Sequence, residues 1–478
     1  RKKLRKFFTP NIDKLVAQSV NFTNAYCASP ACIPSRAALM TGVHPRVSGL
    51  TSNSAAKDTE RGYFRDYKKD GVAIFEKVKT LSEHLKDHGY YVAGIGKVFH
   101  GLDPKRADMP RSWHHYGEIM EKVFTKKNSK PSKWSVGLKF GQEGPDDATV
   151  DMMTDHKQAQ VAASVLLNGY DKTGKTDIKL EEGKPFFLAC GTKKPHLPIT
   201  ATKDLLDLFD EELSGLTMSL DRDLLESFFQ DCEDLPEEAL KGTGIQYKKN
   251  KGTKTRTGSR FTKVINEALK IDPEQGDILA WKDLVKCYLA ATAVADRSVG
   301  HVLDALEKSP YANNTIVILW NDHGYHLGEK GKDAKFTLWD EASRVFFTIK
   351  DPRRPEGLGK ACDAPVTLVD LYPTVVDMLG VSAPNSQNLD GKSLLHFLDD
   401  PSQMWDRPAL TSFGADDSIR VNGYTYIRYG SNPEAVELYD RIKDPDERTN
   451  LAQNPEYQEK LKEMNGRMDQ IIEATLAP

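Results

Sequence analysis

The chain has 478 residues, 39% hydrophobic and 28% charged, with a formal net charge of -3. That length holds one large α/β domain with an appendage, or two to three ordinary domains, and so small a net charge argues against nucleic acid or an anionic membrane as partner. No stretch approaches the roughly 18 consecutive apolar residues of a membrane span. The six cysteines (27, 32, 190, 232, 287 and 362) form no CxxC pair and no dense framework, which leaves room for one or two disulfides at most.

The start, Arg1-Lys2-Lys3-Leu4-Arg5-Lys6, is basic with no apolar region after it. It is therefore not a signal peptide as it stands, and with no initiating methionine it reads as a chain whose natural N-terminus lies upstream. Thr9-Pro10-Asn11 is a cap followed by proline, opening a helix with Ile12, Leu15 and Val16 on one face. Residues 90–95, 186–190 and 315–320 read as short strands. The last two are continuous apolar runs, the pattern of a strand buried on both faces in a parallel sheet. Residues 121–185 and 200–280 are polar, weakly periodic excursions, where specificity tends to reside. The basic run Lys248-Lys249-Asn250-Lys251-Gly252-Thr253-Lys254 reads as a solvated surface loop rather than an anion-binding one. Residues 288–306 form a long helical pattern, and strands alternating with helices argue for a doubly wound α/β sandwich.

After about residue 375 the pattern changes. Residues 418–429 alternate through Ile419, Val421, Tyr424, Tyr426 and Ile427, with Asn422-Gly423 as a hairpin turn, and 437–440 offers another strand. Asn454-Pro455 opens a closing helix over 455–475. The expected organisation is a catalytic α/β domain over 1–375 and a small antiparallel α+β subdomain over 376–478.

The densest chemical signal is Cys32-Ile33-Pro34-Ser35-Arg36, with Thr41-Gly42 following. A lone cysteine is ordinarily a buried, inert thiol. The pentapeptide and its Thr-Gly set Cys32 apart, whereas Cys27 lacks the motif. Asn321-Asp322-His323-Gly324 directly follows the strand at 315–320, at the end where ligand groups collect in open α/β sheets, and Asp322 supplies a hard oxygen ligand. Lys97 and His100 follow the strand at 90–95, His196 follows 186–190, and Lys335 lies downstream of the Asp-His pair. Together with Arg36 they would form a cationic pocket for a sulfate-like anion and offer a general acid.

These residues resemble the sulfatases of the alkaline phosphatase superfamily, within them the iduronate-2-sulfatase-like branch. The likeness runs through Thr9-Pro10-Asn11-Ile12-Asp13, Phe22-Thr23-Asn24-Ala25-Tyr26, the Cys32 motif, Gly96-Lys97-Val98-Phe99-His100, Lys194-Pro195-His196, Asp322-His323-Gly324, and Glu437-Leu438-Tyr439-Asp440 with Asp444-Pro445 and Asn450-Leu451. The resemblance implies an alkaline-phosphatase-like α/β/α sandwich. It also implies oxidation of Cys32 to formylglycine by a formylglycine-generating or anaerobic sulfatase-maturing enzyme. The aldehyde hydrate has one oxygen to attack sulfur and another to expel sulfate afterwards. By the same resemblance Asp322, His323 and the modified Cys32 hold one Ca²⁺, with Mg²⁺ less suited. Arg36, Lys97 and Lys335 stabilise the sulfate, His100 and His196 face the ester oxygen with His196 as proton donor, and His326 and Trp339 touch sugar. The substrate would be a sulfated sugar or polysaccharide, and the protein exported to the periplasm, the outside of the cell or lysosomes. Asn21-Phe22-Thr23 and Asn313-Asn314-Thr315 fit the glycosylation sequon beside expected core strands.

The pattern departs from the family at its front, where members carry a strand ending in two adjacent aspartates that complete the metal shell. None of the eight residues before Thr9 is acidic. A truncated chain is the preferred expectation, and a catalytically inactive binding protein the other. Phosphonate or phosphodiester hydrolysis is the competing enzymatic reading. Phe346, where relatives often have proline, touches packing and not chemistry.

Overall fold

The computed structural model describes residues 9–54, 68–69, 72–100, 108–117, 119, 132–134, 142–143, 148–215, 220–243, 246–250, 253–257, 259–430 and 432–477. The basic start and much of 121–147 lie outside them. The expected helix is Pro10–Val16, with proline in its first turn. It is tied to the rest of the fold by Asp296, which accepts from the Ile12 amide at 2.8 Å and the Asn11 amide group at 2.7 Å.

Two sheets build the main body. One is parallel, in the order His115–Gly117, Tyr91–Gly96, Phe186–Gly191. The other is mixed, in the order Val317–Trp320, Phe347–Lys350, Val20–Phe22, Ala361–Cys362. Side chains alternate across the strand Tyr91–Gly96. Tyr91, Ala93 and Ile95 pack against Val161, Ala162 and Val165 of the helix Thr154–Asn168, while Val92 joins the opposite core with Leu81, Leu85, Leu39 and Tyr372. Helices therefore cover both faces, as a doubly wound fold requires.

The strands expected to be fully buried are half-exposed along their whole length, both Phe186–Gly191 and Val317–Trp320. Each is the edge of its own sheet, with no strand bonded to its outer side among the described residues. An apolar run shows that a strand packs on both faces, and it says nothing of whether its edge is covered. Among the described residues no helix is long and apolar enough to cross a membrane, and all six cysteines are free thiols.

The second excursion proves to be a helical layer with its own core. Lys203–Gly215, Arg222–Gln230, Arg260–Ile271 and the first half of the 32-residue helix Gly276–Glu307 enclose Leu205, Phe209, Leu225, Phe229, Phe261, Val264, Trp281 and Leu284. The basic run inside it is a β-hairpin in its described residues, Gln246–Asn250 paired antiparallel with Thr253–Thr257, not an irregular loop.

The expected boundary at 375 falls within the helix Leu371–Leu379, whose Leu371, Tyr372, Val375 and Val376 belong to the main core. The antiparallel sheet begins later, as Ala409–Phe413, Asp416–Val421, Tyr424–Tyr429 and Asn432–Asp440 in sequential order. Asn422 and Gly423 turn the central hairpin at φ 53° and 78°, the left-handed pair such a two-residue loop needs. The closing helix Gln458–Leu476 lays Met464, Met468 and Ile471 on Leu410, Ile419 and Leu438. Each such burial contributes about 1.5–3 kcal/mol.

Candidate active site

Cys32 is the first residue of the helix Cys32–Thr41, after Ala31 in extended conformation. Pro34 falls in the first turn, where a missing N–H costs nothing, and the Ile33 amide donates to Asn53 Oδ1 at 3.0 Å. Thr41-Gly42 is the other end of the same helix, with Gly42 as its left-handed cap at φ 69°. The two halves of the motif thus delimit one helix, with the sulfur at its positive pole.

The strands Tyr91–Gly96 and Phe186–Gly191 are parallel and pair Gly96 with Gly191, so the segments carrying Lys97 and His196 leave the sheet side by side. A Cβ on Gly191 would lie 2.2 Å from the Lys97 carbonyl, and one on Gly96 at φ 75° would lie 2.1 Å from the Gly191 oxygen. Only glycines allow this crossing. Asp155, 4% exposed on the helix Thr154–Asn168, then accepts from the amides of Lys193 and Lys194 at 3.0 and 2.8 Å and fixes the turn that delivers His196.

On the sulfur these segments converge. Lys335 Nζ donates to Cys32 Sγ at 2.8 Å and reaches His323 Nε2 at 2.9 Å, and His323 Nε2 lies 3.3 Å from the sulfur. Burial alone would raise the Cys32 thiol. Hydrogen bonds from His100, His196 and His323 outweigh it and hold the thiol well below its usual range. His323 Nδ1 bonds to the Gly324 carbonyl at 2.8 Å and His196 Nδ1 to the Leu197 carbonyl at 2.6 Å. Each ring is thereby oriented with Nε2 inward, toward the sulfur.

Arg36 is 6% exposed and its charge is already committed. Its Nε donates to Asp322 Oδ2 at 2.7 Å, its Nη1 to the carbonyls of Lys97 and Val98 at 2.7 Å each, and its plane lies over Trp320 at 5.4 Å. It thereby ties the nucleophile helix to two strand ends. Burial of Asp322 opposes its charge, but Arg36 first, then His323, Lys97 and Lys335, keep its carboxyl well below the usual range. Lys97 is buried with Arg36 nearby, which together push its pKa down to about 8.

Donor atoms of Cys32, Asp322 and His323 lie within 4.8 Å of one another, the one such cluster among the described residues. One carboxylate, one imidazole and the group at position 32 make one side of a shell. A hard cation takes six to eight oxygens, so these residues fit part of a Ca²⁺ site and would need further donors to complete it.

Two expected residues are elsewhere. His326 is 0% exposed, with Nε2 on Thr337 Oγ1 at 2.7 Å, and Trp339 is 2% exposed, donating to Glu437 Oε2 at 2.8 Å. Both belong to the interior between the main body and the C-terminal sheet, so neither can touch a sugar. Asn53, Asp155 and Trp320 were not anticipated. Asp155 alone had a signal, as the acidic residue opening a helix.

A model of the sulfatase family matches residues 3–381, and one for the N-sulphoglucosamine sulphohydrolase C-terminal region matches residues 328–474. The chain is 32% identical over 459 residues to a sulfatase of Formosa agariphila, covering 95% of this chain and 80% of that one. It is 28% identical over 447 residues to the iduronate 2-sulfatase of Mus musculus, covering 84% and 72%. The phosphonate monoester hydrolase of Agrobacterium radiobacter superposes with a TM-score of 0.70 at 19% identity, covering 98% of this chain and 91% of that one. That likeness shows the fold, the expected alkaline-phosphatase-like α/β/α sandwich.

Proposed function

The chain belongs to the sulfatase family, and from that premise we propose that it hydrolyses a sulfate ester on a sugar, with Cys32, matured to formylglycine, as nucleophile. The observation that carries this reading is the position of Cys32 Sγ at a helix N-terminus, 2.8 Å from the Lys335 ammonium and 3.3 Å from His323. That is where an attacking oxygen and a developing negative charge would be held.

The matured group supplies a hydrated aldehyde in place of the thiol. Asp322, His323 and position 32 would hold a divalent cation, Ca²⁺ ahead of Mg²⁺, and the cation supplies positive charge beside the sulfate. Lys335 and Lys97 bind the sulfate oxygens. Arg36 acts through Asp322 and the Lys97 carbonyl, as a positioning residue. Against the pull of Cys32, burial and the nearby lysines lower the pKa of His196; with Nε2 inward it takes the proton released at the attacking oxygen and returns it to the leaving alcohol. His100 lines the same side. A sugar substrate is supported by the iduronate 2-sulfatase among the relatives, and export together with a maturation enzyme belongs to the same reading.

The likeness to a phosphonate monoester hydrolase motivates a second reading. Protein from the native host, with formylglycine at position 32 verified by mass spectrometry, is to be assayed on an aryl sulfate and the matching aryl phosphonate ester. A larger kcat/KM on the sulfate is expected. Faster phosphonate turnover, or only unmodified cysteine in active-host material, would overturn the proposal.

A further inference from the structure

We propose that the helical layer over 203–307 positions Lys335, through an ion pair between Arg260 and Asp333, and that Arg260 is thereby a positioning residue for the reaction. This rests on Lys335 acting on the sulfate as set out above.

Lys335 directly follows a two-stranded hairpin, His326–Leu327 paired with Asp333–Ala334. The backbone around it takes left-handed conformations at three residues that are not glycine: Lys330 at φ 50°, Ala334 at 69° and Phe336 at 76°. Such a segment does not hold itself, and it persists only where its surroundings dictate it. Here the surroundings are the helical layer. Trp281 Nε1 donates to the Leu327 carbonyl at 2.7 Å, Ser259 Oγ to the Gly331 carbonyl at 2.9 Å, and Cys232 Sγ to the Lys330 carbonyl at 3.2 Å. Lys330 Nζ donates to Asp231 at 2.8 Å and to the Glu447 carbonyl at 2.6 Å, drawing in the C-terminal region as well.

Beside the Phe336 amide, which donates to the Pro30 carbonyl at 3.2 Å, the helical layer's own contact nearest to Lys335 in sequence lies two residues before it. Arg260 Nε donates to Asp333 Oδ2 at 2.8 Å, and Nη2 reaches the same oxygen. Asp333 is buried while Arg260 is half-exposed, so the arginine caps an inward carboxylate from outside. Without it Asp333 would turn toward water and take the strained segment with it. The layer read from sequence as a specificity excursion thus sets a distance inside the catalytic pocket, the 2.8 Å from Lys335 to the sulfur.

The test is a double-mutant cycle with Arg260→Ala and Lys335→Ala in matured enzyme, with Arg260→Gln as the variant of similar size should Arg260→Ala fold poorly. Arg260→Ala is expected to lower kcat about tenfold to a hundredfold, the effect of a small misplacement, with KM held within about twofold, and Arg260→Lys should recover part of the loss. The double variant should turn over no more slowly than Lys335→Ala, because the two substitutions remove one effect. Losses that multiply would overturn the proposal. Amide exchange over residues 326–336 supplies a readout independent of turnover. It should quicken in Arg260→Ala while the Cys32 helix is unchanged, and equal exchange would overturn the positioning claim even if the sulfatase reading itself fails.

Discussion

Raising the pH from about 7 to about 10 removes the proton of Lys97 from the folded protein well before it would leave an unfolded chain. Burial first, then the Arg36 charge, moves this pKa from 10.5 down to about 8, against the pull of Asp322 and Cys32. Between those values the unfolded chain binds a proton that the folded one does not, so Lys97 adds stability as pH rises and its full penalty applies below about 8. At 1.36 kcal/mol per pH unit the contribution is about 3 kcal/mol, undiscounted because the side chain is only 8% exposed. Turnover of the matured enzyme, which lacks the pull of the Cys32 thiolate, should move the other way, falling about tenfold per pH unit above a limb no higher than about 8 if the charge is needed on the sulfate. Lys194 and Lys332 are also pushed down to about 8 by burial and add stability with the same sign. The Lys97 share is therefore isolated by comparing unfolding of wild type and Lys97→Met. Their stability difference should close by about 3 kcal/mol across the window. Lys97→Arg, which stays protonated, should lose the alkaline limb of kcat/KM. A wild-type limb well above pH 8, an unchanged limb in Lys97→Arg, or a stability difference indifferent to pH would each refute the reasoning.

Asp322→Ala leaves Arg36 buried without its counterion, and should cost about 3–5 kcal/mol in denaturant unfolding as well as abolishing turnover. Trp339→Phe takes one of three donors from the buried Glu437 carboxylate, which Tyr429 and Tyr439 also serve. It should cost about 1–3 kcal/mol of stability and leave KM for a sulfated sugar unchanged, and a raised KM would restore the sugar-contact role.

The pocket residues were legible because they follow strands. Parallel pairing puts the C-terminal ends of 90–95 and 186–190 together, so Lys97 and His196 leave the sheet side by side; the strand ending at Trp320 lies in the other sheet, and Asp322 just beyond it meets them through Arg36. The Cys32 motif was legible because its parts are the two ends of a single helix. What binds distant segments was not. Arg260 and Asp333 are 73 residues apart, and neither type nor spacing marks them as a pair. His326 and Trp339, expected at the sugar from the family resemblance, are buried instead, because the turns around Lys335 send the lysine inward to the sulfur and Trp339 into the interior beside the C-terminal sheet.

The charge balance explains why this pocket suits an anionic ester. Three cations, Arg36, Lys97 and Lys335, stand around Asp322 and a Cys32 thiol whose pKa is held below its usual range. Arg36 spends its charge on Asp322 and its Nη1 donors on two carbonyls. Cys32 Sγ faces Lys335, and no carboxylate among the described residues is ion-paired with Lys97, whose burial and nearness to Arg36 loosen its proton. Under the proposed maturation position 32 becomes neutral, and Lys335 loses the sulfur it now meets at 2.8 Å. Two buried ammonium groups facing one another's field are unfavourable until an anion lies between them. A sulfate group relieves both at once, and a neutral ester of the same shape would relieve neither. On the proposed reading, discrimination for the charged substrate draws on two buried lysines that a sulfate would pair, while Arg36 is already paired with Asp322.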